Sequence, residues 1–200
     1  MSDVTPTRSA VLEMKDERRA MHDGYVFLDE KCLLLASEIL RELKRYAALL
    51  AKLVALSRDA ASALEAAVAR HGLTGVQVYP AADIEATRLV ATPRALMGVK
   101  LLDASLAIVS GPETPAVDPS PEAQACRRAY AELIAAAAPV AAVAGNLERL
   151  RIEYQRSVRR ARALQDVLLP ELDRDVYEIE SRLEELEQED AIFMRPRATA

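Results

Sequence analysis

Stepping alternately by three and four from Val11, one meets Val11, Met14, Arg18, Met21, Tyr25, Leu28, Cys32, Leu35 and Ile39. The register continues through Glu42, Tyr46, Leu49, Leu53, Leu56, Ala60, Ala63 and Ala67, and only Arg18 and Glu42 carry charge. Such spacing is the heptad seam of a coiled coil. Pro6 is the only proline in this stretch and Gly24 its only interior glycine. The pattern therefore predicts one helix over 6–70, about 95 Å long at about 1.5 Å per residue. Thr5 is suited to cap it and Pro6 to fill its first position. A helix that begins so near the chain end suggests that this end has a contact to make.

The seam stops at His71-Gly72-Leu73-Thr74-Gly75, a plausible helix end. Residues 74–79 alternate as a strand would, and 87–91 form a second extended candidate. Pro93 and the stretch 96–102 follow, and residues 111–121 are rich in turn formers. The region 72–110 is thus expected to hold short strands in a small insert. Ser120 can cap the next helix, with Pro121 at its first position.

The second helix is expected to run to about residue 190. Its last part has a clean seam of Leu169, Leu172, Val176, Ile179, Leu183 and Leu186. Leu147, Leu150 and Tyr154 share a stripe that Val158 and Ala161 do not continue, which predicts a stutter. Pro139 and Pro170 should each bend the helix or free a carbonyl.

Two seams of similar length, joined by a turn-rich insert, predict a mainly α fold: a long antiparallel two-helix coiled-coil hairpin with a small strand-containing insert. The expected divisions are 1–71 for the first helix, 72–119 for the insert and 120–200 for the second helix and tail. Residue i should then lie near residue 190 minus i, with both termini at one tip. Asp29, Glu30, Glu38 and Glu42 would face the basic run 149–162, which makes that run a coiled-coil flank and not a nucleic-acid patch. Cys32 and Cys126 would be too far apart to bridge.

Alanine, leucine, glutamate and arginine dominate, Trp is absent, and the 200 residues carry a formal charge of -5. The acidic balance argues against a general nucleic-acid binder. No apolar run is expected to span a membrane and no signal segment is apparent. The two cysteines have no metal-ligand spacing, and His22 and His71 stand alone. His71 suits a helix end better than catalysis. The acids over 175–190 are spaced as a solvated helix surface, not a metal cage. No phosphate loop, dinucleotide fingerprint or nucleophile constellation is visible. No catalytic, cofactor or metal residue is therefore assigned. The residues favour a mechanical or scaffolding element, and a non-catalytic coiled-coil adaptor is the other reading.

Several short motifs occur in an informative order. Thr5-Pro6-Thr7-Arg8 opens the chain, followed by Leu12, Lys15, Ala20, Gly24, Leu28 and Lys31. Met97-Gly98-Val99-Lys100 lies in the insert, and residues 159–172 include Ala163-Leu164 and Pro170. Residues 183–197 close with an acidic helix, Phe193 and a basic tail. Over nearly the whole chain this order resembles the D subunit of the vacuolar/archaeal-type (V-type/A-type) rotary ATPases, in its bacterial form. Asp23, Tyr25, Cys32 and Arg162 depart from the family pattern. The resemblance implies a rotor shaft that transmits torque between ATP turnover in a catalytic hexamer and H⁺ or Na⁺ transport in a membrane ring. It implies as partners the small F subunit of the central stalk, the catalytic A and nucleotide-binding B subunits, and the funnel-like C/d subunit, on the cytoplasmic face of the membrane. By position, Arg8, Lys15, Phe193, Arg195 and Arg197 become candidates for contact with the hexamer. No cofactor, nucleic acid or membrane span of its own is implied.

Overall fold

The computed structural model describes residues 6–80, 87–108 and 115–193. The elements in order are α1 (Arg8–Val78), β1 (Arg88–Leu96), β2 (Val99–Ala107), α2 (Pro121–Ala163), a π-helical turn (Leu164–Leu168) and α3 (Leu169–Phe193). The mainly α fold with a two-stranded insert is as the hydrophobic pattern predicts. The chain divides into two compact units, Met1–Leu34 with Tyr154–Ala200, and Leu35–Glu153.

In the first unit Val11, Ala161, Val176 and Ile179 are buried, and all but Ala161 belong to the predicted seams. Ion pairs set the antiparallel direction. Arg8 meets Glu187 at 2.8 Å, Lys15 meets Glu180 at 2.5 Å, and Arg18 meets Asp173. The first two pairs sum to 195 in residue number and the third to 191, close to the expected 190. Helix α1 is capped by Thr7, whose Oγ1 accepts the Ala10 N–H at 3.2 Å. Thr5, the predicted cap, lies outside the described residues, as do Arg195 and Arg197. The predicted stutter appears slightly later than expected. Leu169 donates its N–H to the Leu164 carbonyl, five residues back, just before Pro170. Proline lacks an N–H and its ring crowds the preceding turn, and a widened turn there relieves the crowding.

In the second unit Leu35, Ala60, Ala67, Val99, Leu101, Ala123, Val143 and Leu150 form the buried apolar core. Gly72, at φ 70 and ψ 167, breaks α1 near its end. The chain resumes helical geometry to Val78 and does not form the strand expected over 74–79. A strand needs a partner, and among the described residues β1 pairs only with β2. The second expected strand, 87–91, falls largely in β1, which is longer than predicted. The antiparallel register closes at Leu96 opposite Val99. Met97 and Gly98 make the two-residue turn, with φ of 47 and 85. Positive φ at both centres matches the right-handed twist of the flanking strands. Helix α2 starts as predicted. Ser120 Oγ accepts the Ala123 N–H at 3.1 Å, with Pro121 as the first helical residue.

One expectation about hydropathy needs correction. The continuous helical stretch Pro121–Phe193 contains an 18-residue window of mean hydropathy 1.4, long and apolar enough by composition to cross a membrane. Alanines over 131–144 supply much of it. The apolar count there comes from many small side chains and not from a run of large ones.

Candidate functional site

The positional candidates lie in the first unit. Arg8 reaches Glu187 Oε1 through both Nε, at 3.1 Å, and Nη2, at 2.8 Å. That hydrogen bond and the carboxylate charge raise the guanidinium pKa above its ordinary value. Lys15 is held by Glu180. A cavity of about 420 Å³ is lined by Arg8, Val11, Leu12, Glu180, Leu183 and Glu184. Leu12 is 63% exposed and Phe193 88% exposed. Arg8 and Lys15 are thus already paired within the chain, while Leu12 and Phe193 present apolar surface to solvent.

The second unit holds a charged clamp whose partners the heptad pattern did not identify. Glu42 occupies an inward seam position and is 1% exposed. Arg94, carried by β1, sits between Glu38 and Glu42 at 2.8 Å from each and lies 3.6 Å from Asp103. Arg41 holds Glu38 at 2.7 Å, and Arg45 pairs with Asp103. Burial pulls the Arg94 pKa down, but the Glu38 hydrogen bond and the charges of Glu38, Glu42 and Asp103 outweigh it, so the net direction is upward. Glu38 and Glu42 therefore answer the hairpin and their own helix, where the basic run 149–162 was expected. Within that run, Arg149 donates to Asn146 Oδ1 at 2.9 Å and Arg151 pairs with Glu148 at 2.8 Å.

Helix α2 grips the other strand. Asn146 accepts the Leu102 N–H and donates to the Leu102 carbonyl, both at 2.8 Å. Its amide thereby acts as a strand residue on the outer edge of β2. Leu102 stands opposite Pro93. Backbone groups at that pair point away from the hairpin, so the missing proline N–H costs no ladder bond. Asn146 reads as one polar residue in an alanine-rich helix, and only its burial at 0% exposure distinguishes it.

A third cluster links the break in α1 to the start of α2. His71 Nε2 and Ser120 Oγ share a 2.6 Å hydrogen bond, and His71 Nδ1 lies 3.6 Å from Asp118. His71 serves a helix end, as expected, though not alone. Serine, histidine and aspartate in this order are the residue types of a hydrolytic triad. The geometry serves capping instead. Ser120 is 5% exposed, its oxygen already accepts a helix N–H, and the adjoining cavity of about 370 Å³ is lined by His71, Tyr79 and Asp118 but not by Ser120. Both cysteines are half-buried, and burial is the main cause that raises each thiol pKa.

The model of the ATP synthase D-subunit family matches residues 10–195. The chain belongs to that family. The D subunit of the A-type ATP synthase of Methanopyrus kandleri is 28% identical over 202 residues, covering 98% of this chain and 85% of its own. The D subunit of the V-type ATP synthase of Anaeromyxobacter dehalogenans is 29% identical over 199 residues, covering 98% and 95%. That of Thermotoga neapolitana is 25% identical over 195 residues, covering 96% and 95%. The family resemblance carried by the ordered motifs is therefore real, and the chain is a central-stalk subunit of a rotary ATPase, part of a complex with the other ATPase subunits.

Proposed function

We propose that this D subunit is the torque-bearing shaft between a catalytic hexamer of A and B subunits and an H⁺- or Na⁺-carrying membrane ring. On this reading it has no catalytic residues of its own, works on the cytoplasmic side, and binds the F subunit and the funnel-like C/d subunit. The insert 72–119 is an appendage set on the two helical segments 1–71 and 120–200. The observation that best supports the reading is the set of cross-helix ion pairs at Arg8, Lys15 and Arg18, which joins the two ends of one chain into a stiffened antiparallel pair. Two helices held in register resist bending and twisting better than one, which transmission of torque requires. Phe193, Arg195 and Arg197, with Arg8 and Lys15, are the proposed contacts with the hexamer.

Truncation of residues 1–12 and 187–200 tests the assignment in the reconstituted complex. Most of both seams remains, so the helical circular-dichroism signal should persist. The ratio of ions moved to ATP consumed should fall. A truncated chain that pumps at the full ratio removes the tip from the coupling mechanism. An intact chain that assembles with neither the F subunit nor the hexamer defeats the partner assignment.

A further inference from the structure

His71 and Ser120 stand on either side of the insert 72–119 and meet across 49 positions of the chain. Gly72, at φ 70, turns α1 directly after His71. Gly75 comes back close to it, and a Cβ at Gly75 would lie 2.9 Å from that of His71. The imidazole is enclosed, with 6% of the side chain exposed. The two ends of the insert therefore touch through a buried titratable ring and the residue that caps α2.

The hydrogen-bond count at Ser120 Oγ depends on the charge of that ring. A serine hydroxyl has one proton and two lone pairs. One lone pair takes the Ala123 N–H at 3.1 Å. A neutral ring with its hydrogen on Nδ1 turns that N–H toward Asp118, 3.6 Å away, and leaves Nε2 to accept the Ser120 proton at 2.6 Å. The other neutral tautomer sets a bare Nδ1 against the carboxylate, two acceptors facing each other. A protonated ring carries N–H at both nitrogens. Nε2 must then donate to Oγ, and the Ser120 proton has to turn away. Among the described residues Oγ has no further partner, and Ser120 is buried. A stranded hydroxyl proton in a buried place is costly. The ion pair with Asp118 offsets little of this, because that side chain is 76% exposed. Arg70, of the same sign as the charged ring, lines the adjoining cavity with Tyr79 and Asp118. Glu122 is the acidic residue of the first turn of α2.

We propose that His71 and Ser120 form a pH-sensitive clasp at the base of the insert, closed while the ring is neutral and opened when the ring takes up a proton. The clasp lies within this chain and does not depend on the partner assignment. Nuclear magnetic resonance on the full-length chain tests it between about pH 8 and pH 5.5, where histidine side chains change charge. At pH 8 the ring nitrogens of His71 should report the Nδ1–H tautomer. Amide-exchange protection at Ala123, corrected for the intrinsic effect of pH, should fall by about tenfold on acidification, as loss of one hydrogen bond implies. The fall should be absent in H71Q. It should persist in H22Q, which removes the only other histidine, and in D118N and E122Q, because reversal at Nε2 needs neither carboxylate. Ser120→Asp keeps a capping oxygen but has no hydroxyl proton to strand, and its carboxylate pairs with a charged ring. Protection at Ala123 in S120D should therefore rise in acid, a change of sign that poor folding does not produce. An Nε2–H tautomer at pH 8, unchanged protection in the wild type, a wild-type response in H71Q, or a fall in S120D each overturns the proposal.

Discussion

Arg18 and Glu42 both stand at inward heptad positions of α1 where an apolar side chain is expected, yet they resolve the conflict differently. In the first unit Arg18 stays half in solvent, with 51% of its side chain exposed, and reaches across to an equally exposed Asp173. In the second unit Glu42 is buried with 2% of its side chain exposed and receives Arg94 from the hairpin. An exposed pair keeps most of its hydration in either state, so it registers the helices at little cost and little gain. A buried carboxylate has lost its water and depends on its partner. The seam break in one unit is a lateral tie. In the other it is a socket for a separate element.

The comparison breaks most sharply at Arg94. Replacing it with Ala leaves Glu38 and Glu42 buried without their shared cation, and the protein should lose about 3 kcal/mol of unfolding free energy. Chemical denaturation of the full chain measures it. A double variant, R94M/E42L, removes both charges and should recover much of the loss. Removing Arg18 by R18A should cost below about 1 kcal/mol. If R94A and R18A cost the same, the contrast between socket and tie is wrong.

Asn146 sharpens the same contrast from α2. Asn146→Leu preserves volume but strands the Leu102 N–H and carbonyl, and should cost about 2 kcal/mol. Amide exchange at Leu102 should accelerate while exchange at Val11 and Val176 in the other unit stays slow. Equal acceleration in both units would mean that the hairpin contact supports the whole chain.

These residues also mark what was legible beforehand. The seams were visible because burial repeats along a helix, and Val11, Leu35, Val176 and Ile179 are all buried. The Ser120 cap was legible because serine before proline has a local reason to start a helix. The clamp was not, since Arg94 meets Glu42 across 52 residues and no local rule links them. The strand over 74–79 was misplaced because alternation in a short stretch does not specify a partner. The cap of α1 is Thr7, next to the first helical residue Arg8, and the sequence, with a threonine on either side of Pro6, did not single it out. Among the proposed tip residues, Arg8 and Lys15 carry ion pairs that position alone did not foretell.

Two backbone positions give smaller effects of the opposite sign, one in each unit. A Cβ on Gly24 would meet Leu164 Cδ1 at 3.8 Å, an ordinary contact. Gly24→Ala should therefore stabilise the first unit by about 0.5–1 kcal/mol through lower unfolded-chain entropy and better helix propensity. Met97 holds a positive φ of 47 in the hairpin turn. Met97→Asn should stabilise the second unit by up to about 1 kcal/mol, because asparagine tolerates that conformation better. Thermal melts of the two variants read both effects. A loss of stability in Gly24→Ala would mean that Leu164 cannot accommodate the added methyl group.

The smallest effect is the pH response of an exposed pair in the second unit. Glu148 accepts from Arg151 Nε at 3.1 Å and from Nη2 at 2.8 Å. That hydrogen bond comes first among the causes that lower the Glu148 pKa in the folded chain. A carboxylate with a depressed folded pKa binds fewer protons folded than unfolded across the window between the two values. Its contribution is therefore complete above the unfolded pKa and disappears as pH falls through the folded one. Glu148→Gln removes the titration. The melting temperature of wild type should exceed that of E148Q slightly at neutral pH, and the two should converge in acid. Both side chains are well exposed, so solvent screening keeps the gap small and added salt should narrow it further. Arg94 gives the matched contrast, because its pairs lie against buried Glu38 and Glu42 and salt should leave the R94A deficit nearly unchanged. A gap at Glu148 that resists salt as the Arg94 deficit does would place this pair with the buried clamp and not with the exposed ties.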